Sequence, residues 1–363
     1  MNICLIEPFY GGSHKYWADN LVKWSKHNFT VFTLSAKHWK WRMQGSALEI
    51  NSQIIKSDIP VPDLFIVSDL IDLSFFKSLL PEKYSRVKIL FYMHENQLTY
   101  PKSMLDKEKE FDLSYGYLNF KSCLVADFIL FNSHFHKSVF LNAAKELLSK
   151  MPDYNHLASV DIIESKSDVL YLGIDMNFIN SILLKKPYIK NPMPTLLWNH
   201  RWKADKNPQG FLKLLRNLKA EKVDFKLKLT NVESESKIYQ TINKEFNNEI
   251  VFNGKLDSYS EYIKEISDCD LIPMTSNHDF FGLSLMEAVY CGVYPILPSN
   301  MVYEEIYKDC GFSYYNDEAE LLQLTIDRIN SKTTLNHEKI RNILKKYDWN
   351  SVIADFDERV HTL

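Results

Sequence analysis

The chain has 363 residues, which at the ~150 residues a compact domain typically uses is enough for two cores and excludes a short peptide, a zinc finger or a coiled coil. Forty-three Lys and Arg stand against 46 Asp and Glu, a net charge of −3, so this is no polycation built to coat nucleic acid, and any nucleic-acid surface must be local. The longest stretch without a charge, residues 288–303, is sixteen residues long and broken by Gly292, Pro295 and Pro298, short of the ~20 apolar residues of a membrane span.

Short apolar runs at residues 2–6, 30–34, 64–68, 87–92, 128–132 and 169–172 alternate with longer helical patterns. Runs of this kind predict parallel strands covered on both faces, so the first half reads as doubly wound α/β. In its first helix Trp17, Leu21 and Trp24 form an apolar stripe at spacings of four and three, expected to face the sheet. Residues 102–110, rich in Lys and Glu, read as an exposed loop.

Between residues 175 and 194 the alternation lapses and Pro187, Pro192 and Pro194 accumulate, as expected of a chain crossing between domains. Strands resume at residues 195–198, 225–229, 250–253, 271–274 and 294–297, with helices at 208–221 and 259–267. The expected organisation is a Rossmann-like domain over 1–180, a linker over 181–194, a second Rossmann-like domain over 195–345, and a C-terminal helix over 346–363 that packs back on the first domain. Two such domains bind ligand where the carboxyl ends of their strands face each other across a cleft, so function is expected in the loops that follow strands.

The start of the chain, MNICLIEPFY, lacks a basic leader and its apolar run stops at Glu7, so it reads as part of the fold rather than a secretion signal. Five cysteines occur without a C-x-x-C pair, which argues against a disulfide framework or structural zinc and predicts a reducing, cytoplasmic setting.

Five segments carry candidate chemistry. Gly11 and Gly12, followed by Ser13 and His14, open the first helix, where backbone N–H groups can approach an anion or a sugar; a tight strand-to-helix turn is the plainer reading. Lys37, His38, Trp39, Lys40, Trp41 and Arg42 interleave bases with indoles, suited to stacking on nucleobases and holding phosphates, unless the tryptophans pack inside. His94, Glu95 and Asn96 follow the fourth apolar run, and His94 and Glu95 are expected to be exposed there, where an imidazole can hydrogen-bond a sugar or exchange a proton. Arg201 and Lys206 flank the helix opened by Asn207 and Pro208, and together with its positive end they suit a diphosphate. The strongest segment runs from Asn277 to Ala288. Gly282 sits at a loop-to-helix junction, and Asp279 and Glu287 are separated by seven residues across it, placed for sugar or ribose hydroxyls.

This last segment resembles the E-x7-E signature, with its F-G, E-A and G-x-P, of GT-B glycosyltransferases of the retaining, family-four type, the first acid being Asp279 in place of Glu. Gly173, Asp175 and Phe178 are similar to that family's interdomain strand, and Asn253-Gly254 and Cys269-Asp270 fall in family order. More narrowly, I-E-x-F-Y-G-G-S-H-K, A-K-x-W-x-W-R, H-E-N-Q-L-x-Y-P, C-L-V-A-D, H-R-W-x-x-D-K-x-P and F-F-G-x-x-x-x-E-A-V-Y-C-G-x-Y-P resemble the tRNA-queuosine mannosyltransferase family from Ile6 to Pro295.

The resemblance implies a GT-B fold, transfer of mannose with retention from GDP-mannose to queuosine in the tRNA anticodon, and neither cofactor nor metal. It implies catalytic roles for His94, Arg201, Lys206 and Asp279. Donor contacts are implied for Gly11, Gly12, Arg201, Lys206, Glu287 and the backbone of Phe281, Gly282 and Leu283. Acceptor contacts are implied for Ser13, His14, Lys37, Trp39, Lys40, Trp41, Arg42, Glu95 and Asn96. Three alternatives stay open on the residues alone: a transferase with another nucleotide sugar and a lipid or glycan acceptor, a nucleotide-sugar epimerase, and a noncatalytic nucleotide- or tRNA-binding module.

Overall fold

A computed structural model describes residues 1–100, 114–185, 193–331 and 335–363. The expectations for residues 102–110 and for Pro187 and Pro192 lie outside the described residues. The described residues divide into two compact units, the first made of residues 1–100, 114–173 and 349–363, the second of 174–185, 193–331 and 335–348.

The first unit holds six parallel strands: β1 (Asn2–Tyr10), β2 (Asn28–Ser35), β3 (Leu64–Ser68), β4 (Lys88–Met93), β5 (Phe128–Phe131) and β6 (Ser167–Val169), in the order β2-β1-β3-β4-β5-β6. β3 reads Leu-Phe-Ile-Val-Ser and is buried along its length, as a strand covered by helices on both faces must be. Phe65, Val67, Phe91 and Ile129 enter the same core as Ile50, Ile54 and Phe140 from the covering helices. β6 begins two residues before the apolar run read at 169–172. Only Val169 belongs to the strand, and Ser167 and Asp168 pair with Ile129 and Leu130 at the sheet's edge, where polar residues are tolerated.

The helix Trp349–Thr362 belongs to the first unit. Trp349 is fully buried, donates from Nε1 to Tyr16 Oη at 3.1 Å, and lies so close to Gly173 that a Cβ there would meet the indole at 2.6 Å. Farther along, Asp357 accepts hydrogen bonds from Ser25 Oγ at 2.6 Å and Lys26 N at 3.2 Å.

The second unit also has six parallel strands: β7 (Thr195–Trp198), β8 (Lys226–Leu229), β9 (Ile250–Asn253), β10 (Leu271–Pro273), β11 (Tyr294–Pro298) and β12 (Ser313–Tyr315), in the order β12-β11-β10-β7-β8-β9. β12 has no counterpart among the predicted strands, because Ser-Tyr-Tyr at an edge carries no apolar run. The helix Met176–Leu183, placed in the first domain and linker by sequence, belongs to this unit. Asn180 and Tyr290 hydrogen-bond there, and Phe178 stacks on Tyr259 at 5.4 Å.

In each sheet one strand has neighbours that leave it by opposite routes: β1 lies between β2 and β3, and β7 between β8 and β10. At such switch points the loops after neighbouring strands diverge and leave a crevice at the carboxyl ends. All five cysteines are buried thiols without a disulfide. Among the described residues no helix is long and apolar enough to cross a membrane.

Candidate active site

In the first unit the crevice is lined by residues that end β1, β3 and β4. Glu7 interrupts an otherwise apolar strand and is completely buried, with Oε1 accepting from Phe9 N at 2.9 Å. His14 Nδ1 lies 3.2 Å from the same oxygen, and His94 Nε2 lies 3.5 Å from Oε2. The two imidazoles sit 4.1 Å apart, and the His94 ring is held edge-on to Trp17 and Tyr92, both at 4.8 Å.

Asp69, just past β3, is fully buried and accepts from Glu95 N at 2.7 Å. Burial opposes the Glu7 charge, but the two histidines outweigh it and hold this carboxyl well below the usual range. Against burial, Glu7 together with Asp69 and Glu95 raises His14 to about 9. His94, desolvated and next to the charged His14, is lowered to about 4. Burial raises Asp69 well above an ordinary carboxylate.

These positions correct two expectations. His94 is only 8 % exposed rather than displayed on a loop, because Trp17 and Tyr92 close around its ring. His14, expected to touch the acceptor, extends the stripe of Trp17 and Leu21 by three residues and therefore turns inward to Glu7. Asn96 is also buried, and its Oδ1 accepts from Leu98 N, Thr99 N and Thr99 Oγ1, so it shapes the turn after β4.

Gly11 and Gly12 open the helix Gly12–Trp24, but for different reasons. A Cβ at Gly11 would strike the Ala36 side chain, so the turn packs directly on the segment after β2. Gly12 has φ +55° with open space where a side chain would stand, and Ser13 beside it is exposed. The basic–aromatic segment divides as well. The helix Trp39–Ser57 begins inside it, and Trp39 packs with Met43, Leu70, Leu118 and Tyr115, whereas Trp41 is 62 % exposed. Lys37 and Lys40 are exposed, and Arg42 donates to the carbonyl and hydroxyl of Ser35.

In the second unit the loop after β7 meets the loop after β10. Trp198 ends β7 inside a stack with Trp202 at 4.9 Å and Phe211 at 4.6 Å, which anchors the β7 loop at its base. Asn277 N donates to Asp205 O, and Thr275 Oγ1 donates to the carbonyls of Lys206 and Asn207, tying the two loops together. Asn207 accepts from Gly210 N and caps the helix Pro208–Ala220. Lys206 Nζ donates to Asp279 Oδ2 at 3.0 Å, and Tyr303 Oη donates to the same oxygen at 3.0 Å. Arg201 Nη2 donates to the buried Asp205 at 3.1 Å. Burial works against the Asp279 charge, but Lys206 prevails and lowers its pKa. The neighbouring His200 and His278 are lowered to about 3 and about 4 by burial, so both are neutral at pH 7.

Gly282, with φ +80°, caps the helix Leu283–Tyr290 without a side-chain partner, leaving the first N–H groups of that helix to other acceptors. Phe281 itself is buried and packs edge-on to Tyr347, so only its backbone is available. Glu287, one turn into the helix, is buried and accepts from Tyr259 Oη at 2.8 Å. Burial raises it to about 7, against the pull of Tyr259 and Tyr262.

The structure thus groups Arg201, Lys206, Asp279 and Gly282 around one switch point, with Glu287 farther along the same helix. Sequence reading passed over Glu7, Asp69, Asp205, Tyr259 and Tyr303. Glu7 and Asp69 carried a legible signal, a carboxylate closing an apolar run; the tyrosines carried none. Glu7, His14 and His94 also form a group whose ligand-type atoms lie within 4.8 Å of one another, the chemistry a metal ion would need.

The N-terminal domain model of the tRNA-queuosine alpha-mannosyltransferases matches residues 2–174, and the model of glycosyl transferases group 1 matches residues 182–347. The tRNA-queuosine alpha-mannosyltransferase of Drosophila melanogaster is 36% identical over 318 residues, spanning 84% of this chain and 81% of its own. The chain belongs to the tRNA-queuosine alpha-mannosyltransferase family.

It is therefore a glycosyltransferase, and its two Rossmann-like units make a GT-B fold. Solved structures agree on the fold. Sucrose-phosphate synthase from Thermosynechococcus elongatus superposes with a TM-score of 0.73 at 12% identity, covering 100% of this chain and 98% of its own. Anabaena HepE in complex with UDP gives 0.69 at 13% identity, covering both chains fully.

Proposed function

We propose that this enzyme transfers mannose from GDP-mannose to queuosine in the tRNA anticodon with retention of configuration. Family membership supports the donor and the acceptor. The observation that carries the chemistry is the Lys206 ammonium, held 3.0 Å from Asp279 and adjoining a helix start whose N–H groups have no side-chain cap.

In this reading the second unit binds the donor. Glu287 takes ribose hydroxyls, Asp279 a sugar hydroxyl, and Arg201, Lys206 and the N–H groups from Phe281 to Leu283 the diphosphate, with Gly11 and Gly12 contributing backbone. The bond from the anomeric carbon to the diphosphate breaks as the bond to a queuosine hydroxyl forms on the same face, and the hydroxyl proton passes to the departing diphosphate oxygen, giving GDP. Preorganised cations stabilise the charge that develops on that oxygen. Turnover is accordingly expected to survive chelation of divalent metals. His94 serves the transferred sugar. Trp41, with Lys37, Lys40, Arg42, Ser13 and Glu95, serves the tRNA, because an exposed indole among cations stacks on bases while the cations hold phosphates.

Incubation with radiolabelled GDP-mannose and tRNA that contains or lacks queuosine tests this. Label is expected in queuosine-containing tRNA alone. Equal labelling of both tRNAs, label in lipid or glycan, or isomerised donor without transfer would each overturn the assignment.

A further inference from the structure

The buried cluster at the end of β1 holds more ionisable groups than one catalytic histidine needs. Around His94 stand Glu7 from β1, His14 and Trp17 from the helix Gly12–Trp24 and Tyr92 from β4, while Asp69 from the turn after β3 and Glu95 from the turn after β4 act on His14. Glu7 Oε2 and His94 Nε2 face each other at 3.5 Å, and among the described residues neither atom has a hydrogen-bond partner. Glu7 Oε1 takes Phe9 N and His14 Nδ1. One carboxylate thus addresses two imidazoles, each through a different oxygen.

Two imidazolium rings 4.1 Å apart in a buried site repel each other, so one charge is excluded by the other. Geometry selects the bearer. His14 is nearer to Glu7, at 3.2 Å against 3.5 Å, and is within the field of Asp69 and Glu95, whereas aromatic edges enclose His94.

We propose that Glu7 and His14 are positioning residues for His94: Glu7 accepts the Nε2 proton of His94 and fixes the tautomer with Nδ1 as the acceptor nitrogen, while the His14 charge keeps His94 neutral. The inference rests on the role given to His94 above. The raised pKa of His14 and the lowered pKa of His94 agree with it. His94 is thereby kept as a hydrogen-bonding group of one defined polarity, which a histidine titrating near neutral pH would not be.

The test uses the full-length enzyme and compares wild type with His14→Gln, Glu7→Gln and His94→Gln. Nitrogen-15 NMR of the histidines at pH 7 is expected to show His14 as imidazolium and His94 as the neutral Nε2–H tautomer. Wild-type kcat should hold on the acid side to about pH 5. In His14→Gln, Glu7 faces His94 without a competing cation, so the acid limb of kcat should move up by about one pH unit or more, with KM for GDP-mannose little changed. Glu7→Gln should lower kcat about tenfold and mix the His94 tautomers.

If His14→Gln lowers kcat evenly at every pH, or if His94 is the Nδ1–H tautomer in wild type, the inference fails while the function stands. Stoichiometric zinc or manganese in the purified enzyme would replace it with a metal centre. Normal turnover in His94→Gln would remove the role of His94 and this inference with it.

Discussion

The ammonium of Lys206 lies 3.0 Å from Oδ2 of Asp279, and the two side chains are only 15% and 12% exposed. Each therefore neutralises the other before any donor arrives. The same ammonium is 3.7 Å from Asp205, which is paired with Arg201. The two cations read from the sequence as flanking a helix start are embedded in a charge-balanced set of four, which in the proposed reading a diphosphate enters by sharing their partners.

Removing one of these cations has two separable effects. Lys206→Ala is expected to lower kcat roughly 10²-fold, as the loss of a preorganised charge-stabilising donor does, and to destabilise the second unit by up to about 3 kcal/mol by leaving Asp279 without its partner. Arg201, whose side chain is 61% exposed, should give a similar fall in kcat on change to Ala but less than about 1 kcal/mol in stability. Steady-state kinetics beside urea denaturation separates the two. Unchanged kinetics in both variants would remove them from the donor site.

Glu287 makes stability fall as pH rises. Its folded-state pKa, about 7, lies above the ordinary 4.5, so between those values the folded chain binds more protons than the unfolded one and loses stability with increasing pH. The loss starts near pH 4.5, is complete above about pH 7, and amounts to at most about 3 kcal/mol. Glu287→Gln should flatten this slope in denaturation curves taken at pH 5 and pH 8. An identical slope in the variant would assign the effect to other groups.

The two indoles of the helix start should behave oppositely. Trp41→Ala removes an exposed ring and is expected to leave the melting curve unchanged while raising KM for tRNA about tenfold, the scale of one lost base stack. Trp39→Ala removes a ring packed on Tyr115 and the cluster of Met43, Leu70 and Leu118, and should lower stability by about 2–3 kcal/mol. Slow hydrolysis of the donor without tRNA should persist in Trp41→Ala. Its loss there would point to a role in folding instead.

Gly173→Ala tests the C-terminal helix. The added methyl would meet the buried Trp349 ring at 2.6 Å, so either the indole or the helix must shift. A destabilisation of about 1–3 kcal/mol is expected, as for other overpacked cores. Calorimetry should place it in the first unit.

Much of this was legible because parallel strands buried on both faces read as uninterrupted apolar runs. β3 and β7, buried along their length, begin and end where the runs do. β12 was hidden because an edge strand of Ser-Tyr-Tyr has no such run, and the helix Met176–Leu183 was misassigned because periodicity reports a helix but not the unit it packs on. At the candidate site, residues with local meaning were visible: Gly282 at a helix start, Asn207 as a cap, Lys206 beside it. What escaped depends on distance along the chain. No local pattern joins Glu7 to His94, or Tyr303 to Asp279, since each pair meets only once the strands have been ordered. His14 shows the same effect within one helix: a residue read as part of a ligand loop also occupied the inward stripe, and the stripe decided its direction.

The return of residues 349–363 to the first unit sets an order on biosynthesis. All of residues 174–348 must be made before Trp349 can reach Tyr16 or Asp357 can reach Ser25. The second unit, nearly continuous in sequence, can close during translation, whereas the half begun earlier is finished last. During that interval Tyr16 and Gly173 lack their cover. Premature termination anywhere between 174 and 348 therefore harms the earlier-made half as well as the part it deletes.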